Sequence, residues 1–212
     1  MKNLEFPVLL DLEKISEVPA TRAPFPFLTA ANVLDAQGLE DVARDFPRID
    51  QPGIFPLGQL SYGGAFARLI EDIRRPELGA MLGAKLGVDL SDKPLMVTVR
   101  GHCQKKDGRI HVDSKDKIVT CLLYLNPATW PAEGGRLRLL RERDDLDSTI
   151  AEVAPTGGTF VAFRRTDCSW HGHAPYVGPR RYIMFNWLQS EAVLAKNLLR
   201  HRISAMFKRF AN

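Results

Sequence analysis

The sequence predicts an α+β protein: helices over residues 1–93, an antiparallel β sandwich or barrel over 94–190, and an amphipathic helix over 191–212. Three observations carry this prediction. Apolar residues recur at helical spacing before about residue 90. After residue 94, short apolar runs alternate with Gly and Pro turn signals. The last stretch returns to helical spacing and carries an excess of positive charge.

Each element follows from local pattern. FLTAANVLDAQGLEDVARDFP sets Val33, Leu34, Leu39, Val42, Ala43 and Phe46 near one helical face, with Thr29 or Asn32 as cap and Pro47 as stop. AFARLIEDIRR and PELGAMLGAKLG read as two more amphipathic helices, the second with Pro76 in its first turn. Gly and Pro clusters near residues 53 to 64 separate them. LMVTV, IVTCLLYLN, RLRLL, TFVAF and RRYIMFNWL then read as strands. Arg136, Leu137, Arg138 and Leu139 alternate, which marks a strand with one wet face. Gly134-Gly135, Gly157-Gly158 and PYVGPR read as turns. In the tail, Leu199, Ile203, Met206, Phe207 and Phe210 share a helical face. That helix sets Lys196, Arg200, Arg202, Lys208 and Arg209 against the single Glu191, and is expected to pack on the barrel with its basic face in water.

Bulk composition narrows the function classes. A chain of 212 residues with 45% hydrophobic and 25% charged residues suits one globular domain with a sizeable core. The net charge of +4 is too small to imply a nucleic-acid face. Cys103, Cys121 and Cys168 have no regular spacing, so a disulfide framework is not expected and a cytoplasmic location is. The N-terminal apolar stretch is broken by Asp11, Glu13 and Lys14, which leaves no signal core. No window approaches the roughly 20 apolar residues of a membrane helix.

The chemistry begins in RIHVDSKDKIVTCLLYLN. On a strand, residues at i and i+2 point to the same side, so His111 and Asp113 present an imidazole and a carboxylate together. Such a pair means little without a third ligand. Among five histidines, His171 lies 58 residues beyond Asp113, after several predicted strands. Arg181 follows ten residues later, at the start of the last strand. Two imidazoles and one carboxylate on one face of a metal form the facial triad of non-haem Fe(II) oxygenases. An arginine suits the distal carboxylate of a 2-oxoglutarate that chelates the same metal.

With these motifs in hand, the sequence resembles the 2-oxoglutarate and Fe(II)-dependent dioxygenase superfamily, in its prolyl 4-hydroxylase-like branch. The matching stretches are HVD at 111–113, VTCLLYLN at 119–126, EGGRLRL at 133–139, GGTFVAF at 157–163 and WHGHAPYVGPRRYIMFNW at 170–187. The resemblance covers about residues 95 to 190. It implies a double-stranded β-helix, a jelly-roll barrel supported by N-terminal helices. It implies His111, Asp113 and His171 as iron ligands and Arg181 as the residue for the distal carboxylate. Tyr124, in the YLN motif, would lie close to the cosubstrate. His173 competes with His171, and Arg180 competes with Arg181. The WH-to-basic spacing of ten and the tryptophan six residues after Arg181, Trp187, decide for His171 and Arg181. Even spacing also sets Arg181, Ile183, Phe185 and Trp187 on one face, with Arg180 outward.

The implied cofactors are Fe(II), 2-oxoglutarate and O2, with ascorbate as an optional addition. The implied reaction is hydroxylation of an unactivated C–H bond, giving succinate and CO2, on a protein or peptide. Hydroxylation of a small molecule or free amino acid is the alternative. Base demethylation is disfavoured, because Trp187, or Asn186 counting from Arg180, stands where such enzymes carry a second arginine. A barrel without activity and a zinc hydrolase on the same three ligands stay open as rival classes. Asp107, Asp116 and Glu133 read as loop charges, and His102 as a residue near the mouth.

Overall fold

In the computed structural model, residues 8–210 are described, with helix side chains described as far as residue 200. The chain runs through α1 (Leu12–Glu17), β1 (Phe27–Ala30), α2 (Ala36–Arg44), β2 (Phe55–Pro56), a 3-10 turn (Leu57–Gln59), α3 (Gly64–Ile73) and α4 (Pro76–Leu86). It continues through β3 (Leu95–Cys103), β4 (Lys117–Tyr124), β5 (Leu137–Leu140), β6 (Thr149–Val153), β7 (Phe160–Arg164), β8 (His171–Gly172), β9 (Gly178–Leu188) and α5 (Glu191–Phe210).

The first helix expected from sequence is shorter than its pattern and starts later. Phe27–Ala30 pairs with β7 instead, and Leu28 is fully buried there. Ladder bonds and burial beside β7 outweigh the helical periodicity of those four residues. The helix then starts after Asp35, whose carboxylate accepts from the Gly38 N–H at 2.6 Å, so neither Thr29 nor Asn32 is the cap. By contrast, α4 opens on Pro76 as expected and closes on Gly87, which takes the left-handed φ of +68° that suits glycine.

Two antiparallel sheets face each other. One has six strands in the order β1-β7-β4-β9-β3-β2, the other three in the order β6-β5-β8. A lone bridge between His111 and His171 lengthens the small sheet by one short segment. Leu122, Tyr124, Val161, Phe163 and Tyr182 of the large sheet pack against Leu137, Leu139 and Val153 of the small one. The other face of the large sheet packs on the helices, with Val97, Leu123, Phe185 and Trp187 against Leu69, Leu78 and Leu82. Both faces are therefore apolar, which is why the strands read as continuous apolar runs. This is the double-stranded β-helix arrangement, two facing sheets that do not close into a continuous hydrogen-bonded ring among the described residues.

Strand β9 carries the consequence for the site. Its even residues Tyr182 and Met184 face the small sheet, while Ile183, Phe185 and Trp187 face the helices. Opposite them on β3, Arg100 pairs with Tyr182 but His102 pairs with Pro179. Arg180 and Arg181 thus stand together opposite Gly101, a β-bulge. Gly101 is required there, since a Cβ would lie 2.5 Å from the Ile49 carbonyl oxygen. The helix α5 lies against β2 and β9. Leu199 on it is 57% exposed, and the side chains of Ile203, Met206, Phe207 and Phe210 lie outside the described residues.

Candidate active site

Three ligand atoms, one each from His111, Asp113 and His171, lie within 4.8 Å of one another. Asp113 and His171 are buried and His111 is exposed, so the group sits at the mouth of the space between the sheets. The His111–His171 bridge brings the two imidazoles to a centroid distance of 4.3 Å. Each ring is tied back through Nδ1: His111 to the Arg109 carbonyl at 2.9 Å and His171 to the Ser169 carbonyl at 3.0 Å. A carbonyl only accepts, so Nδ1 carries the proton and Nε2 keeps a free lone pair, the state a metal needs. Burial pushes the His171 pKa down to about 4, which Asp113 only partly offsets. The ring is therefore neutral at ordinary pH.

Asp113 is held from both oxygens. Lys117 donates to Oδ1 at 2.8 Å and the Thr120 hydroxyl donates to Oδ2 at 2.5 Å. The Asn186 amide in turn donates to the Thr120 oxygen at 2.8 Å. Burial alone would push the Asp113 carboxyl up, but Lys117, His171 and Thr120 outweigh it and hold the group well below the usual carboxylate range. The donor set, two imidazoles tied back through Nδ1 and one ionised carboxylate, fits a divalent iron.

The structure places the two arginines on the opposite sides from those expected. Arg181 is exposed on the helical side, with its guanidinium 5.3 Å from the Phe46 ring centroid, and does not reach the space between the sheets. Arg180 does. It is buried, its Nε donates to the Gly135 carbonyl at 2.7 Å and its Nη2 donates to the Tyr124 hydroxyl at 3.0 Å. Its guanidinium also lies 5.2 Å and 5.1 Å from the ring centroids of Tyr124 and Tyr182. The physical reason is that both faces of β9 are buried. Trp187 marks the face toward α4, where it lies against Gly79, and not the face toward the site. Parity with Trp187 therefore selects Arg181, the arginine on the helical side, and not Arg180, which lines the cavity.

Arg180 and the three converging residues line one cavity of about 360 Å³, together with Arg100, Thr120, Tyr182 and Met184. Tyr124 is fully buried behind it and reaches the cavity only through Arg180. Among the described residues no carboxylate forms an ion pair with Arg180, whereas the neighbouring Arg100 is paired with Asp107. A buried cation without a counter-charge is costly, and an anion from outside would relieve that cost. The cavity thus joins a place for a divalent metal to a place for a carboxylate.

Residues 98–189 match the family model of the 2OG-Fe(II) oxygenase superfamily. That match covers β4 to β9 and the three converging ligands, so residues 98–189 have the sequence of a domain of that superfamily. The fold of the chain is also similar to a prolyl-4-hydroxylase from Pseudomonas putida, with a TM-score of 0.57 at 21% identity over 78% of this chain and 87% of that one. A second similar fold is a Trichoplax adhaerens prolyl hydroxylase solved with a hypoxia inducible factor oxygen degradation domain peptide fragment. That match has a TM-score of 0.50 at 17% identity, over 76% of this chain and 83% of that one. At these identities the likeness is one of fold. No curated protein matches the chain. The protein is a 2-oxoglutarate-dependent dioxygenase.

In this oxygenase several side chains matter that the sequence reading passed over. Thr120 and Asn186 are polar residues on buried strands, and that exception to burial is the signal that marks them. Asp107 is no mere loop charge, since it holds Arg100 and accepts from the Gln104 N–H at 2.9 Å. His102 is bonded to the Ile49 carbonyl at 3.1 Å and does not line the cavity. His173 does line it, but it is not in the converging group; its Nδ1 bonds the Ala174 carbonyl at 2.8 Å. The three cysteines are free. Among the described residues no helix is long and apolar enough to cross a membrane.

Proposed function

We propose that this oxygenase hydroxylates an unactivated C–H bond of a protein or peptide, converting 2-oxoglutarate and O2 to succinate and CO2. His111, Asp113 and His171 are the iron ligands in this reading. Arg180, in place of Arg181, takes the distal carboxylate of 2-oxoglutarate, and Tyr124 is the positioning residue that orients it. Residues 94–190 form the catalytic core, with 1–93 as support and 191–212 as an added helix. The observation that carries the proposal is the uncompensated Arg180 in the same cavity as the three converging ligands. The peptide substrate is supported by the peptide bound to the similar Trichoplax fold.

Iron(II) at the triad would supply dioxygen activation coupled to loss of CO2 from 2-oxoglutarate. The chain does the rest. The Arg109 and Ser169 carbonyls fix both imidazoles with Nε2 toward the metal position. Thr120 and Lys117 hold the Asp113 carboxylate in one orientation and ionised. Arg180 has its Nε and one Nη committed and still has N–H groups for a carboxylate. Leu122, Leu137 and Met184 give the cavity apolar walls that limit water around the reacting centre.

The test is turnover. Purified protein with Fe(II), 2-oxoglutarate and O2 should release succinate above a no-enzyme blank. A peptide digest of whole-cell protein should gain a mass of one oxygen at a defined residue. Succinate release unaffected by Asp113→Ala would overturn the proposal.

A further inference from the structure

The cavity is more positive than metal and cosubstrate require. Five cations line it: Arg100, Lys106, Arg109, Lys117 and Arg180. Three are accounted for. Arg100 is paired with Asp107 and Lys117 with Asp113, and Arg180 awaits the distal carboxylate of 2-oxoglutarate. A divalent metal would share Asp113 with Lys117 and take the other carboxylate of the cosubstrate, which leaves one of those positive charges unbalanced. Lys106 and Arg109 remain. Both are exposed at the rim, and neither forms an ion pair among the described residues.

The same segment forms the wall of a second groove of about 540 Å³. Lys105, Lys106, Arg109, Ile110, His173 and Pro175 line it, and Lys106, Arg109 and His173 also belong to the site cavity. The two spaces therefore adjoin, with the 105–110 segment as a shared wall. Lys105 is exposed and likewise unpaired among the described residues. Across the groove, Leu146 comes from an acidic loop, but Asp144 is answered by Arg143 at 3.8 Å and Asp147 by Arg138 at 3.2 Å. Glu142 and Asp145 of that loop form no ion pair among the described residues, so the groove has an acidic side at the loop and a cationic side at 105–109, where three cations are unmatched. A groove with one cationic rim and apolar stretches at Ile110, Leu146 and Pro175 suits an extended chain whose acidic side chains run along that rim.

We propose that the substrate of this oxygenase is an acidic peptide segment. It lies along the 105–110 segment, with Lys105, Lys106 and Arg109 setting the preference for acidic residues flanking the hydroxylated one. This rests on the oxygenase reading above. It concerns substrate choice, and the cosubstrate is bound by other residues.

The test uses full-length protein loaded with Mn(II) and N-oxalylglycine, an inert analogue of 2-oxoglutarate. The probes are fluorescent peptides with all-acidic, all-amide or all-basic flanks around a central proline. Acidic peptides should bind about tenfold or more tighter than amide ones, with a preference that shrinks as salt rises. Lys105→Glu with Lys106→Glu should abolish that preference. Arg109 is left intact because its carbonyl orients His111. Equal binding of all three peptides, no binding of any, or an unchanged preference in the double variant would overturn the proposal. Binding of free glutamate in place of the acidic peptide would also overturn it. The anaerobic iron and 2-oxoglutarate spectrum of the same variant separates the two levels. If the spectrum is intact and the preference absent, only the substrate proposal fails. If wild type itself gives no spectrum, the oxygenase reading fails.

Discussion

Arg180 donates to the Tyr124 hydroxyl at 3.0 Å, between two tyrosine rings and with no carboxylate opposite it among the described residues. Its neighbour Arg181 points to the other side of the same strand. Burial pushes the Tyr124 pKa up to about 12 despite the nearby guanidinium, so the hydroxyl stays protonated and supplies no negative charge. Only an incoming anion neutralises Arg180.

Substitutions at the two arginines should therefore separate cleanly. Arg180→Ala should weaken 2-oxoglutarate about 100-fold or more, as expected for removing one partner of a buried charge pair. Arg180→Lys should fall between, because an ammonium keeps the charge but loses the planar fork. Arg181→Ala should leave cosubstrate affinity unchanged. The 2-oxoglutarate dependence of succinate release reads all three.

Thr120→Val keeps the shape of the side chain and removes its hydroxyl. Asp113 loses a donor and the buried Asn186 amide loses its acceptor. Metal affinity should fall about 10- to 100-fold, and stability by about 1–3 kcal/mol. Mn(II) titration and thermal melting measure the two effects, and a variant with unchanged metal affinity would show that Thr120 is only structural.

Gly101→Ala tests the bulge. The added Cβ meets the Ile49 carbonyl oxygen at 2.5 Å, and backbone cannot yield as a side-chain tip can. The strand should shift where Arg180 and Arg181 oppose it. A loss of about 2 kcal/mol is expected, with weaker 2-oxoglutarate binding in the fraction that folds. Denaturant unfolding checks the first and cosubstrate titration the second.

The metal-free protein should lose stability as pH falls from about 6.5 toward 4. His171 and His173 are both pushed down to about 4 by burial, His173 also by Arg180, so the unfolded chain binds their protons first. Each histidine contributes roughly 2 kcal/mol to that loss. Asp113 extends the decline at lower pH, because its depressed carboxyl stabilises the fold only while ionised. His173→Asn should flatten the slope between pH 4 and 6.5 in metal-free melts.

Much of this was legible in the sequence. The strands containing LMVTV, RLRLL, TFVAF and RRYIMFNWL form where their patterns place them, and IVTCLLYLN does so up to Tyr124. His111, Asp113 and His171 converge although 58 residues separate the last two. What the sequence hid depends on which side of a strand faces what. A strand buried on both faces offers no polar face to orient it, so Trp187 gave the parity of β9 but not its direction. Tyr182, Met184 and Asn186 held the missing clue, since Asn186 is a fully buried amide that needs a polar partner. Phe27–Ala30 and Thr149–Val153 were missed as strands because their partners, not their own residues, make them so.

The central claim is that the triad and Arg180 together hold iron and 2-oxoglutarate. The most direct measurement is anaerobic: add Fe(II) and then 2-oxoglutarate, and follow the visible charge-transfer band of the chelate. Wild type and Arg181→Ala should show the band at the same 2-oxoglutarate concentration. Asp113→Ala should show none, and Arg180→Ala should need far more cosubstrate. Folded, iron-loaded wild type without a band would contradict the account, as would a band that depends on Arg181 and not on Arg180.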